Sequence, residues 1–281
     1  MLKSDLHERT WFFDLEWVPD AAGAKRVFDM PDETTELEGM HEIWKRAGST
    51  PENERPFVKY LFSRVVSIAF LSRNVVYTDG EKRVDFRLHS LPRLPLIPQE
   101  TDEAKIIEQF LYYIGERCPQ LVGFNSIEAD LQVLIQRAMI NEVSAPEFCS
   151  RPGKPWEGRD YFAKNENEWH LDLIKRFSYN AAMSPGLNEI ARLCGFPGKV
   201  DVDGSQVVDL WLQGNLAKIV EYNQIDTLNT YLVWMRFVHF AGKLPEEEYV
   251  REQDEFRGFL ETEALKPGKE FVRKFLDKWE I

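Results

Sequence analysis

Residues 10–18 read TWFFDLEWV. The run is short and rich in β-forming side chains, which predicts a strand. Side chains alternate along a strand, so Asp14 and Glu16 emerge on one face while Phe13 and Leu15 point into the other. Two carboxylates placed side by side repel unless a cation lies between them, and such a pair makes a good ligand set for a hard metal ion. The same D-x-E spacing also describes an ordinary solvated strand face, so taken alone it decides nothing.

Working outward, residues 19–58 are rich in Pro, Gly, Asp and Glu and read as an insertion between core strands, with one short helix around TTELEGMHEIWKRAG (34–48). VVSIAFLSR (65–73) and RVDFRLHSL (83–91), separated by the turn-like TDGEK, predict two antiparallel strands. After the proline-rich PRLPLIPQE the pattern becomes helical: DEAKIIEQFLYYIGERC sets Ile106, Ile107, Phe110, Leu111 and Ile114 on one face, with Thr101 as its cap. LVGFN (121–125) predicts a buried strand running straight into a helix, SIEADLQVLIQRAMI, capped by Asn125 or Ser126. A loop follows that carries Arg151, Lys154 and Arg159. HLDLI (170–174) predicts a short strand and LNEIARLCGF (187–196) a short helix ended by Gly195. Two helices split near Gly214 come next, the second with a core stripe of Ile225, Leu228, Leu232 and Met235. The tail after Pro245 is charged and helix-prone, with Phe256, Phe259, Phe271, Phe275 and Trp279 available to dock on the body.

Strands first, then alternating helix and strand, predict an α/β chain with a mixed sheet flanked by helices. We expect one domain over 1–281, with its core at about 10–240, the insertion at 19–58 and a helical C-terminal extension at 245–281.

The formal net charge is −12, from 35 Lys and Arg against 47 Asp and Glu. Duplex binding by a basic surface draws its affinity from Lys and Arg that release counterions, so this balance disfavours it. A carboxylate cluster that holds divalent ions supplies positive charge locally, and the acidity therefore directs expectation to short or single-stranded ends. The N-terminal MLKSDLHERT has no apolar leader core and no stretch approaches the length of a membrane span, so a cytoplasmic protein without membrane contact is expected. Cys118, Cys149 and Cys194 are widely separated and form no C-x-x-C pair; they are expected to be small buried hydrophobes, with neither a disulfide framework nor a zinc site.

Further acids carry chemistry. Asp130 falls in the first turn of the helix after LVGFN, where the helix dipole also favours an acid. Tyr222 and Asp226 stand four apart on the long helix, so both reach one site, on a face offset from the core stripe. An ordinary Tyr and Asp pair on a half-exposed surface has the same spacing.

The order of these elements is more specific than any one of them. FFDLEW, GFNSIEADLQVL and VEYNQIDTLNTYL resemble the three exonuclease motifs of the tyrosine-containing branch of the DEDD superfamily. The likeness is to the exonuclease domain of B-family DNA polymerases and to the stand-alone predicted 3′-5′ exonucleases related to it. LDLI and the LNEIARLCGFPGK helix are typical of the same group. The resemblance spans roughly residues 10 to 240 and implies an RNase-H-like fold with a five-stranded sheet. It implies a metal-dependent 3′-5′ exonuclease that releases nucleoside 5′-monophosphates, with single-stranded DNA preferred over RNA. Asp14, Glu16 and Asp226 would ligate one Mg²⁺ or Mn²⁺ ion, Asp14 and, through water, Asp130 a second, and Tyr222 would orient the attacking water. Expected substrate contacts are Leu15, Trp17, Asn125 and Ser205, with Lys199 and Gln206 along the same edge.

Two positions depart from the pattern. Ala129 replaces a frequent aromatic before the second-motif aspartate. Trp17 stands where many relatives have Thr, and either stacks on the terminal base or follows strict alternation into the core. With no polymerase region expected, any proofreading or repair role would act in trans. An exoribonuclease using the same site and a catalytically silent binding module are the rival readings. DVDGSQVVD (201–209) lacks the third acidic position and the closing Glu of a calcium loop and reads as an Asp-Gly turn. His170 reads as a strand-end residue.

Overall fold

In the computed structural model, which describes residues 6–154, 157–163, 168–178, 183–200 and 204–279, the aromatic strand spans Arg9–Pro19 (β1). It pairs antiparallel with Ser63–Thr78 (β2), which pairs antiparallel with Glu81–Leu91 (β3). On its other side β1 pairs parallel with Gln120–Gly123 (β4), and β4 with His170–Asp172 (β5). The sheet order β3-β2-β1-β4-β5 is the mixed, five-stranded, RNase-H-like arrangement.

Between β1 and β2 lie Ala21–Val27 (α1) and Glu36–Arg46 (α2). The second begins where the sequence predicts, because Thr35 and Glu38 form a reciprocal capping box. Glu103–Arg117 (α3) follows β3, capped by Asp102, whose carboxylate accepts from the Lys105 N–H at 3.1 Å; the cap expected at Thr101 therefore moves one residue on. Asp130–Ile140 (α4) and the single turns Pro146–Cys149 (α5) and Ile174–Phe177 (α6) flank β4 and β5. Leu187–Leu193 (α7) is closed by Gly195 at φ 80°, and Val207–Leu212 (α8) is separated from Leu216–Phe240 (α9) at Gly214. Glu246–Glu263 (α10) and Glu270–Asp277 (α11) form the tail.

Alternation on the strands sends apolar side chains to both faces. Phe12, Leu71, Val122 and Leu171 pack against α9, and the tail completes that layer with buried Phe256, Phe271, Phe275 and Trp279. Trp11, Phe13, Leu15, Ile68 and Phe70 face the opposite way, onto Ile107 and Phe110 of α3 and Leu131 and Leu134 of α4. A third cluster joins Val18 and Val66 to Met40, Ile43 and Trp44 of α2 and to Val207, Ile219 and Tyr222. Three buried ion pairs tie elements together: Arg73 of β2 to Glu252 of α10, and Arg137 of α4 to both Asp20 and Glu103.

Three expectations are corrected. The helix expected from Ser126 begins at Asp130, and its cap, Ala129, makes no side-chain bond. Asn125 adopts a left-handed φ of 63° and Ser126 turns its hydroxyl to His170, so neither is free to cap a helix there. The cysteines are not buried: Cys118 and Cys149 are exposed and Cys194 half-exposed, Cys118 because it sits at the left-handed C-cap of α3. Residues 201–203 of DVDGSQVVD lie outside the described residues, and Gly204–Gln206 form a 3-10 turn. No described helix is long and apolar enough to cross a membrane.

Candidate active site

The long buried strand β1 carries Asp14 and Glu16 toward α9, opposite the apolar Phe13 and Leu15. From α9, Asp226 meets them. One carboxylate oxygen each of Asp14, Glu16 and Asp226 lies within 4.8 Å of the others, and all three residues are half-buried. Asn223, one residue beyond Tyr222, donates its amide to Asp14 Oδ2 at 2.7 Å, and Ser67 Oγ donates to Asn223 Oδ1 at 3.0 Å.

Asp130 is buried at 4% exposure and stands beside the three rather than among them. The β1–β4 ladder covers only Thr10 to Phe12, so past that point the amides of β1 on this side have no strand to bond. Asp130 Oδ1 accepts the Leu15 N–H at 3.0 Å in its place.

Burial and mutual repulsion shape the electrostatics. Burial first, then the charges of Asp130, Glu16 and Asp226, raise Asp14 well above the usual carboxylate range, against the Asn223 bond. Glu16 is raised likewise by burial, Asp226 and Asp130, with Lys199 opposing. Burial pushes Asp130 up to about 7, offset by the N–H groups of Leu15 and of Asp130 itself. Tyr222, buried at 5% exposure, is raised by burial and then by Asp226 and Glu16, so its hydroxyl stays protonated and able to donate.

Such a set fits a divalent ion. The donors are oxygens only, without His or Cys, which suits Mg²⁺ or Mn²⁺, and an ion there would relieve the repulsion that lifts Asp14 and Glu16.

The turn before α4 is fixed from β5. Asp172, 2% exposed, accepts the N–H of Asn125 on Oδ1 at 2.8 Å and that of Ile127 on Oδ2 at 3.0 Å. His170, wholly buried, holds Ser126 Oγ at 2.9 Å. Ser126 packs so closely over Gly123 that a Cβ there would lie 2.4 Å from its side chain, which excludes any larger residue at the end of β4.

The other expected contact residues divide. Leu15 buries its side chain in the α3–α4 layer and offers the site only its main chain. Trp17 is half-buried and packs with the same layer, although the β1–β2 register shifts between Glu16 and Trp17. Asn125 is exposed beside the Asp172-held turn. Ser205 and Gln206 are exposed next to Gly204, where a Cβ would come within 3.3 Å of the Tyr222 hydroxyl, so this turn borders the tyrosine. Asn223 and Asp172 were not singled out from sequence, and only their places in YN and LDLI signal them.

The family model described as "Predicted 3'-5' exonuclease related to the exonuclease domain of PolB" matches residues 55–279. Asp130, Tyr222 and Asp226 fall inside that span, and β1 with Asp14 and Glu16 precedes it. Among solved structures, the family B DNA polymerase from the hyperthermophilic archaeon Pyrobaculum calidifontis is similar over 95% of this chain and 27% of that one, at 16% identity and a TM-score of 0.46. The chain thus spans about a quarter of that polymerase's length. No curated protein matches the sequence.

Proposed function

The chain belongs to the family of predicted 3′-5′ exonucleases related to the exonuclease domain of PolB, and from that premise we propose that it hydrolyses single-stranded DNA from its 3′ end, with two divalent ions, releasing nucleoside 5′-monophosphates. What supports this is the convergence of Asp14 and Glu16 of β1 with Asp226, their oxygens within 4.8 Å, beside Asp130, with Tyr222 on the same helix as Asp226.

Asp14, Glu16 and Asp226 would hold one ion, and Asp14 with Asp130, through water, the second. Bound Mg²⁺ or Mn²⁺ supplies positive charge against the phosphate and the developing 3′ oxyanion and makes water acidic enough to attack near neutral pH. The Tyr222 hydroxyl, whose proton is given to Asp226, would accept from the attacking water and fix its line of approach. Asn223 holds Asp14 in one orientation, and Asp172 sets the turn from which Asp130 projects. Lys199, close enough to oppose the rise of Glu16, would meet the phosphate. Asn125, Trp17, Ser205 and Gln206 border the entering strand. We take residues 1–281 as one domain, because the 19–58 insertion and the tail both pack on layers that include the central sheet.

The test is release of mononucleotides from a 5′-labelled, 3′-tailed DNA oligonucleotide with Mg²⁺ or Mn²⁺, for wild type and Asp226→Ala. A ladder that shortens from the 3′ end and is lost in the variant supports the proposal. The same ladder on RNA alone reassigns the polymer, and silence on both removes the hydrolytic reading.

A further inference from the structure

The sheet face that carries Trp11 is only partly covered by α3 and α4. Over its remainder a groove of about 770 Å³ lies against β2, β3 and the flank of α3. It is lined by Arg9, Arg87, Arg93, Arg117 and the largely buried Lys269, with Asp85 as the one carboxylate among the lining residues. In a chain of net charge −12 this is a local reversal of sign. Arg87 pairs with Asp85 at 3.2 Å and Arg93 with Glu100 outside the groove. Arg9 donates to the main-chain carbonyl of Arg117, and neither of these guanidinium groups meets a carboxylate among the described residues.

The floor is aromatic. Trp11 stacks on Phe70 with ring centroids 4.8 Å apart, and His89 stacks on Phe70 at 4.6 Å. Tyr113 forms one wall and is 40% exposed. Burial, then Lys269, Arg87 and Lys266, holds His89 neutral, with its pKa lowered to about 4, so the cations act on the floor as well as the rim.

We propose that this groove binds the body of a single-stranded nucleic acid, as a second site for the polymer whose 3′ end enters the carboxylate cluster; this rests on the nucleic-acid reading above. Cations along a groove take phosphates, and an exposed ring on its wall takes a base, the combination by which single strands are held without sequence preference. Its volume lies in the range of about 300–1,000 Å³ that accepts a nucleotide-sized ligand. An acidic peptide would satisfy the arginines and leave the exposed Tyr113 ring unused. The groove lies on the face opposite Asp14 and Glu16, and Lys269 joins the two sides: it lines the groove while its ammonium donates to Gln224, the neighbour of Asn223 on α9.

The test compares Asp226→Asn protein with the same protein carrying Arg87→Glu and Arg117→Glu, binding a fluorescent oligo-dT of about 15 nucleotides, within the length such grooves occupy. Affinity is expected to fall at least tenfold, and the salt dependence to shallow by about 1.4 in log–log slope, since each phosphate contact contributes about 0.7. Tyr113→Ala is expected to weaken binding several-fold with the slope unchanged. With Asp226 intact, the double reversal is expected to leave trinucleotide hydrolysis unchanged and to slow hydrolysis of the longer strand at limiting concentration. Unaltered oligonucleotide binding overturns the proposal, as does equal competition by polyglutamate of matched charge. If groove-dependent binding persists while no protein hydrolyses either substrate, the groove stands and the catalytic reading falls.

Discussion

Asn223 donates its side-chain amide to Asp14 Oδ2 at 2.7 Å while accepting the Ser67 hydroxyl at 3.0 Å, so a carboxylate on the first strand is oriented by a residue 209 positions away. The amide nitrogen turns to Asp14 because an ionised carboxylate only accepts, and the Ser67 hydroxyl then donates to the amide oxygen. Removing the partner of a ligating carboxylate typically costs about 10- to 100-fold in metal affinity. Asn223→Ala is therefore expected to raise the Mn²⁺ concentration at half-maximal binding by about that factor, read by calorimetry. An unchanged ion requirement would deny Asn223 this positioning role.

Without ions, Asp14, Glu16 and Asp226 repel one another, and burial first and this repulsion second raise Asp14 and Glu16. Asp226→Asn removes one charge from the cluster. In chelator the variant is expected to melt about 2–4 °C above wild type, the change that roughly 1 kcal/mol gives in a chain of this size. Wild type should gain stability on addition of Mn²⁺ and the variant should gain little. A variant that melts below wild type in chelator argues that the carboxylates are satisfied without a cation.

Burial lowers His170 from its ordinary 6.5 to about 4. The folded protein keeps this ring neutral while the unfolded chain protonates it first, so its contribution to stability is present above pH 6.5 and is lost as pH falls toward 4. The loss amounts to about 3 kcal/mol at the lower end. Urea denaturation between pH 7 and 4 is expected to show this decline in wild type and a shallower one in His170→Gln. Parallel profiles would place the acid sensitivity elsewhere.

Asp172 accepts two main-chain N–H groups from the turn that aims Asp130. Asp172→Ala frees Asn125 and Ile127, and displacement of a catalytic group by about 1 Å can cost about 100-fold in rate. We expect turnover to drop by about that amount with a smaller change in KM. Asp172→Asn, which keeps one accepting oxygen, should recover part of it. Full activity in Asp172→Ala would show that the turn holds without this anchor.

Arg73 grips Glu252 through Nε at 2.6 Å and Nη2 at 2.8 Å, with Tyr231 donating to the same carboxylate at 3.1 Å, all of it buried. Arg73→Met strands a buried negative charge and is expected to cost about 3–5 kcal/mol in urea denaturation. Arg73→Met with Glu252→Leu should recover most of that loss. If the double variant is no more stable than the single one, the pair itself holds α10 to the sheet.

The residues legible in sequence were those whose partners are fixed by local geometry. Strand alternation puts Asp14 and Glu16 on one face and helical spacing puts Tyr222 and Asp226 on another, but neither spacing decides alone; the resemblance to the three exonuclease motifs is what named them together. The mixed, helix-flanked sheet followed from strands that precede the helix–strand alternation, while the order of its strands is set by pairings that the sequence does not spell out. Asn223 and Asp172 escaped because their roles are contacts across 209 and 47 residues, and neither residue type announces a partner at that distance. The start of α4 was misjudged for the same reason: Ser126 and Asn125 look like caps until His170 and Asp172 claim them. Cys118 looked like a core residue because thiols usually are, but a left-handed helix end carried it to the surface.

Asp130 serves two masters, a strand amide through Leu15 and the acidic cluster beside it. An Asp130→Ala allele would therefore mix misfolding at the fork of β1 and β4 with loss of chemistry, and a null phenotype from it would be uninterpretable. Asp226 is half-buried on a continuous helix and bonds to Tyr222 of the same helix. It is the position from which a separation-of-function allele should be made, one that abolishes turnover while leaving the protein's abundance and its grip on a strand intact.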